Sequence, residues 1–176
     1  SKVAADYLSK GKIVGWYQGR SESGARALGN RSILANPRIK NMKKILNAKI
    51  KYREEFRPFA PAVLKEEAEK YFKTLGHQVP YMNCTVMANN SYAKKIPAAV
   101  HIDKTSRVQT VSKKFNKKFY NLIKNLKMKT GVPVVINTSF NLKGQPIVET
   151  PRDALMTFFG SGIDVLIMGS YVVFKK

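Results

Sequence analysis

The run Val132-Pro133-Val134-Val135-Ile136-Asn137 constrains this chain more than any other stretch. It is rich in β-branched residues, carries no charge, and has the length of a strand buried inside a sheet rather than that of a surface element. It empties directly into the polar segment Thr138 to Gly144. A loop at the end of a buried strand is where α/β folds open the crevice that takes ligands, so this junction is the first place to look for a site.

Spacing elsewhere supplies the elements that such a sheet needs. Ser1 to Lys10 puts Val3, Ala4, Tyr7 and Leu8 on one helical face and stops at Gly11, after which Lys12 to Tyr17 reads as a strand. Gly19 to Gly29 is a polar loop with three glycines, whose backbone N–H groups are free to meet a ligand, and Ser32 to Ala35 is a short apolar run. Ile39 to Ile50 returns to helical spacing through Met42, Ile45 and Leu46. Pro58 and Pro61 make Arg57 to Leu64 extended, and Glu66 to Phe72 is a short helix. Gly76 to Pro97 has the weakest periodicity, with Met82 to Met87 as its strand candidate, whereas Arg107 to Val111 alternates as a strand. Asn116 caps a helix with the stripe Phe119, Leu122, Ile123 and Leu126, ended by Gly131. Thr150, Pro151 and Asp153 start a last helix that turns Ala154, Leu155, Phe158 and Phe159 inward, and Ile163 to Met168 and Tyr171 to Phe174 close the chain as strands. Alternating helices and strands in 176 residues, 44% of them apolar, predict one α/β domain over 1–176, a twisted sheet partly covered by helices.

Charge narrows the partners. With 32 basic residues against 11 acidic ones the chain carries +21, far beyond what solubility needs, so an anionic partner is expected. A phosphate-bearing small molecule, a nucleic acid and an acidic neighbouring domain all satisfy that sign. Lys113, Lys114, Lys117, Lys118, Lys124, Lys127 and Lys129 lie mostly opposite the apolar stripe and read as a solvated helix face, with Tyr120 as the one aromatic candidate for stacking on bases. Nucleic acid is therefore the disfavoured partner. Cys84 is the single cysteine, so no intramolecular disulfide can form and a reducing compartment is expected. His77 and His101, with one cysteine, do not fill a tetrahedral site, and no metal ligand is assigned. No stretch approaches the roughly 20 apolar residues a bilayer crossing takes and no signal-peptide core opens the sequence, so a cytoplasmic chain without membrane attachment is expected.

Two segments carry the candidate chemistry. If the chain is extended at Lys51-Tyr52-Arg53, the two-residue period points both cations to one face about 7 Å apart, which suits two oxygens of one polyphosphate. Arg57 beside the rigid Pro58 adds a fork for a phosphate or carboxylate; a solvated basic edge paired with Glu54 and Glu55 accounts for the same residues. At the strand end, Ser139 and Asn141 can hydrogen-bond phosphate oxygens, and Asn137 can orient a carbamoyl or carboxylate group without adding charge; a turn that satisfies its own backbone is the alternative. Arg107 opens a predicted strand with Gln109 on the same face, and either neutralises a transferred phosphate or pairs with Asp103.

The ordered segments Gly19 to Leu34, Arg53 to Pro61, Arg107-Val108-Gln109, Asn137 to Asn141, Gly144 to Val148 and Thr150 to Ala154 together resemble the carboxy-terminal domain of the O-carbamoyltransferases that modify nodulation factors and antibiotics. The resemblance implies a YrdC-like fold whose ATP site uses a Lys-x-Arg pair and a Ser-x-Asn pair, met here by Lys51 with Arg53 and Ser139 with Asn141. It implies that carbamoyl phosphate yields carbamate, which attacks the α-phosphate of ATP to give carbamoyl adenylate and pyrophosphate, with Mg2+ bridging ATP oxygens. Lys51, Arg57, Arg107, Asn137 and Ser139 match family positions that hold carbamoyl phosphate and nucleotide. Transfer to an acceptor hydroxyl belongs, by the same resemblance, to an amino-terminal metal-binding domain of the polypeptide, which nothing in this sequence matches. Ala25 stands where the family commonly has proline, Ser23 where it has phenylalanine, and Asn36 where it has aspartate.

Overall fold

A computed structural model of the protein describes residues 1–175. In chain order the elements are α1 (Lys2–Ser9), β1 (Val14–Tyr17), β2 (Arg31–Ala35), α2 (Met42–Leu46), β3 (Pro61–Leu64), α3 (Ala68–Tyr71), β4 (Thr85–Met87), α4 (Asn90–Ala93), β5 (Thr105–Arg107), β6 (Gln109–Val111), α5 (Lys117–Thr130), β7 (Val134–Ser139), α6 (Pro151–Phe159), β8 (Val165–Met168) and β9 (Tyr171–Phe174). Seven strands form a mixed sheet in the order β6-β3-β7-β2-β1-β8-β9, and β4 and β5 make a separate two-stranded ribbon. Within the large sheet β1 and β8 are parallel, as are β3 and β6.

The Val132 to Asn137 run sits inside this sheet, where β7 lies between β3 and β2. Its side chains alternate between two apolar layers: Val134 and Ile136 join the layer with Met42, Leu46, Ala154 and Phe158, and Val135 joins the one with Ala4, Leu8, Phe119, Leu122, Ile123 and Leu126. The strand period of two therefore covers each face with its own set of helices. β7 starts later and ends later than the apolar run. Pro133 has no N–H to offer the ladder, while pairing with β2 extends through Thr138 and Ser139, so Ser139 is the last strand residue rather than part of the loop.

Two glycines have a packing reason. An added Cβ on Gly29, at φ 109°, would stand 2.3 Å from the buried ring of Phe119, so the glycine-bearing loop closes directly on α5. Gly15 in β1 similarly makes room for the Phe140 ring. Helix ends follow the capping expectations: Asn116 accepts from the N–H of Phe119, Gly131 takes the left-handed cap, and Thr150 and Asp153 form a reciprocal capping box.

Five sequence expectations are corrected. Arg107 to Val111 is not one strand: the chain leaves the ribbon at Arg107 and enters the large sheet at Gln109, so these two residues belong to different sheets instead of sharing a face. Lys51 is not extended but closes a π-helical turn, Asn47–Lys51, that continues α2. Glu66 to Phe72 is a 3₁₀ turn, Lys65–Glu67, followed by the short α3. Val3 and Phe159 are exposed at 47% and 57%, because Ala5 and Thr157 occupy the inward positions assigned to them. Phe115, at 72% exposed, is the open aromatic near the lysines, whereas Tyr120 is partly buried and donates to Glu66.

Asn36, where the family commonly has aspartate, uses both ends of its amide. Its Nδ2 donates to Leu8 O at 3.2 Å and its Oδ1 accepts from the N–H of Arg38 at 3.1 Å. A carboxylate could make only the second bond.

Candidate functional site

Lys51 reaches the sheet from the far side of a helix that widens. The π turn adds a residue to the last helical loop, and Tyr52 then takes a left-handed conformation, φ 45°, that is uncommon for a large side chain. These two local departures aim Lys51 at the end of β7. Its Nζ donates to Ser139 O at 2.8 Å, to Asn141 Oδ1 at 2.7 Å and to Asn141 O at 2.9 Å, with Ser139 Oγ at 3.3 Å. Four oxygens surround three N–H bonds, and the Ser139 hydroxyl itself donates to Asn141 Oδ1 at 2.7 Å. Segments almost ninety positions apart in sequence thus meet at one ammonium group.

Lys51 is only 8% exposed. Burial, and secondarily the charge of Arg53, push its ammonium down to about 7, far below the ordinary lysine value. The oxygens around it favour the charged form, but they are neutral, so no counter-ion offsets the cost of burial. Arg53 is held differently. Its Nε donates to Asn47 Oδ1 at 2.7 Å, one Nη donates to Pro58 O at 3.2 Å, and the guanidinium lies 4.6 Å from the centre of the Phe59 ring. Burial first and Arg57 second push it downward.

Both residues line one cleft of about 340 Å³ together with Arg26, Arg57, Arg107 and Lys143. Six cationic side chains face that space, and its lining contains no carboxylate. The nearest acid in contact is Glu54, 3.8 Å from an Nη of Arg57 and itself well exposed. The cleft also includes Asn137, Ser139 and Asn141, so every residue singled out by the sequence lines it. Arg26 and Lys143 were missed. Each lies in a polar glycine-bearing loop whose position on the sequence was plain and whose folding toward the cleft was not.

Asn137 is 1% exposed, and its Nδ2 donates to Ala27 O at 3.0 Å and to Gln109 Oε1 at 2.8 Å. Its Oδ1 is buried without a partner. A buried acceptor left unpaired costs about 1–3 kcal/mol, and Arg31 Nε and Ser32 Oγ are buried without a partner in the same way. The lysines of α5 contrast with the cleft: Lys127 pairs with Glu67 at 2.7 Å and Lys129 with Asp6 at 3.0 Å. Among the described residues, no group of three His, Cys, Asp or Glu is placed to hold a metal ion, and no helix is long and apolar enough to cross a membrane.

Known proteins share both the sequence and the fold. The chain is 44% identical over 175 residues to the nodulation protein NolNO of Sinorhizobium fredii, a match covering 98% of this chain and 26% of that protein. It spans between 26% and 32% of the length of the first curated relatives it matches. Full-length HypF, solved in its phosphate- and nucleotide-bound form, superimposes with a TM-score of 0.66 at 18% identity, over 96% of this chain and 24% of that one. P. abyssi Sua5 superimposes with a TM-score of 0.55 at 13% identity, over 98% of this chain and 52% of that one. The mixed sheet with its helices is therefore a YrdC-like fold. Residues 5–175 match the family described as Carbamoyltransferase C-terminus, and the chain belongs to that family.

Proposed function

We propose that the cleft binds ATP and carbamoyl phosphate and joins a carbamoyl group to the adenylate, for later transfer to an acceptor hydroxyl by an amino-terminal domain. The observation that carries this reading is the six-cation cleft without a carboxylate, organised around the Lys51 contacts to Ser139 and Asn141. Such a lining matches a ligand with several phosphate oxygens and repels no part of it.

The chemistry needs no enzyme nucleophile. Water converts carbamoyl phosphate to carbamate and inorganic phosphate; a carbamate oxygen then bonds to the α-phosphorus of ATP as the bond from that phosphorus to the bridging oxygen of pyrophosphate breaks. Displacement at phosphorus is promoted chiefly by position and by fixed positive charge where negative charge builds. Lys51, Ser139 and Asn141 hold phosphate oxygens in this reading, Arg53 braces the cleft wall, and Arg57 and Arg107 offset the charge on the leaving groups. Mg2+ would supply further charge neutralisation. The cleft lining has no carboxylate to hold it and the Ser139 and Asn141 oxygens already accept from Lys51, so it would enter as part of the bound nucleotide.

Isothermal titration with ATP and with carbamoyl phosphate tests this, followed by detection of pyrophosphate release that depends on both. Binding of both ligands and joint dependence are expected. Absence of binding at millimolar concentration, or a Lys51→Ala variant that binds as well as the parent, overturns the assignment.

A further inference from the structure

Arg31 opens β2, one position before Ser32, which pairs with Ser139 at the end of β7. It is 4% exposed, yet the oxygens it meets are all neutral backbone carbonyls. One Nη donates to Gln18 O at 2.8 Å and to Asn30 O at 3.1 Å, and the other donates to Gly19 O at 3.1 Å. The guanidinium lies 3.6 Å from the centre of the ring of Tyr17, its cross-strand neighbour. A buried cation without a carboxylate is a costly way to satisfy three carbonyls. What the planar fork supplies is geometry: it gathers the two ends of the glycine-bearing loop, at Gly19 and Asn30, onto one rigid group.

We infer that Arg31, which does not itself line the cleft, is a positioning residue that sets Arg26 at the cleft by closing the loop that carries it. The inference rests on the reading of the cleft proposed above and adds the support of one of its six cations. The loop is braced on both sides of its tip. Glu22 Oε1 accepts from the N–H groups of Leu28 at 2.8 Å and Asn30 at 2.6 Å, and Asn30 Nδ2 donates to Arg20 O at 2.9 Å. Leu28 O accepts from Gln109 Nε2 at 2.9 Å. The span Ser23 to Arg26 is exposed and, among the described residues, makes no hydrogen bond, so Arg26 is placed by the braces on either side of it. The same hub reaches the opposite wall. Arg31 O accepts from the N–H of Phe140, the residue between Ser139 and Asn141. Tyr17 donates its hydroxyl to Glu149 O at 2.7 Å, and Ser21 donates to Glu149 Oε1 at 2.9 Å. Arg31 thus ties the loop of Arg26 to the segment whose oxygens surround Lys51, and fixes how far apart these two cations stand.

Titration calorimetry with ATP tests this through a double-mutant cycle on Arg31→Lys and Arg26→Ala. Lysine keeps the charge and loses the fork, so position changes while the sign of the local field does not. Each single variant is expected to weaken ATP about fivefold or more. The double variant is expected to be no more than about twofold weaker than Arg26→Ala, because an arm already removed cannot be misplaced. Arg20→Ala, a cation of the same loop outside the cleft lining, is the control and should change ATP affinity less than about twofold. Melting curves report whether Arg31→Lys folds; if it does not, a glycine inserted between Gly24 and Ala25 in the exposed tip lets Arg26 drift with the hub intact, and is expected to weaken ATP as much as Arg26→Ala does. Losses that multiply in the double variant, an unchanged affinity in a folded Arg31→Lys protein, or an insertion that leaves ATP affinity at the parent value overturn the inference and leave the cleft reading in place. A parent that does not bind ATP overturns the cleft reading, and this inference falls with it.

Discussion

The cleft at the end of β7 and the lysine face of α5 carry the same sign of charge and do opposite things with it. On α5 the lysines stand in water or lean on carboxylates, with Lys127 on Glu67 and Lys129 on Asp6, while the helix is held by its apolar stripe. At the cleft, six cations face one space whose lining offers no acid, and the central one is buried. Basic residues with carboxylate partners have already found their anions. Those gathered around a buried ammonium held by neutral oxygens, where Arg57 has only a long, exposed contact to Glu54, are arranged for an anion that arrives from outside.

Five results would break or sharpen this contrast. The largest effect is expected from Lys51→Ala, which removes a charge-assisted contact from a desolvated site and should weaken ATP by about 30-fold or more, against less than about twofold for the exposed Lys124→Ala; titration calorimetry of both variants reads the difference. Next is pH. The Lys51 ammonium is lowered to about 7, so ATP affinity should fall as pH rises above 7, by up to about tenfold per unit, with proton uptake on binding that shows as a dependence of the heat on buffer ionisation. The same group predicts a stability trend of definite sign. The unfolded chain holds this proton up to the ordinary lysine value and the folded chain releases it near 7, so this contribution to stability rises with pH from about 7 toward 10.5, which chemical denaturation across that window can measure.

Ser139→Ala and Asn141→Ala each remove one neutral hydrogen-bonding group and should weaken ATP about five- to tenfold in the same titration. The smallest effect belongs to α5. A double-mutant cycle on Lys127 and Glu67 should return at most about 1 kcal/mol of stability and leave ATP affinity unchanged. Hydrogen bonding to Lys127 lowers the Glu67 carboxyl, so this contribution is present above the ordinary glutamate value and is lost as pH falls through the lowered one.

Much of the fold was legible because its signals were local. The Val132 to Asn137 run, the α5 stripe and the capping box at Thr150 each depend on a few neighbouring residues; the two helices formed where their patterns lay, and the strand formed two residues later, over Val134–Ser139. The errors came where the outcome depended on a distant partner. Arg107 and Gln109 alternate like one strand, yet the ribbon with β4 claims the first and β3 claims the second. Lys51 and Arg53 were expected on one face of an extended segment, and the helix instead ran on for one wide turn because Ile50 is drawn into the core behind Met42 and Leu46. The two cations reached one cleft by a different backbone path from the one the spacing suggested. Gln109 was visible only as a neighbour of Arg107, since its contacts involve two backbone carbonyls more than eighty positions away in sequence, one met directly and the other through Asn137.

The most direct test of the cleft as a triphosphate site is a crystal structure of the protein soaked with ATP. The account predicts triphosphate density between Lys51 and Arg107, with the Lys51 ammonium moved from Asn141 Oδ1 onto a phosphate oxygen. Nucleotide density along the α5 lysines, with the Lys51 contacts to Ser139 and Asn141 unchanged and the cleft empty, would contradict it.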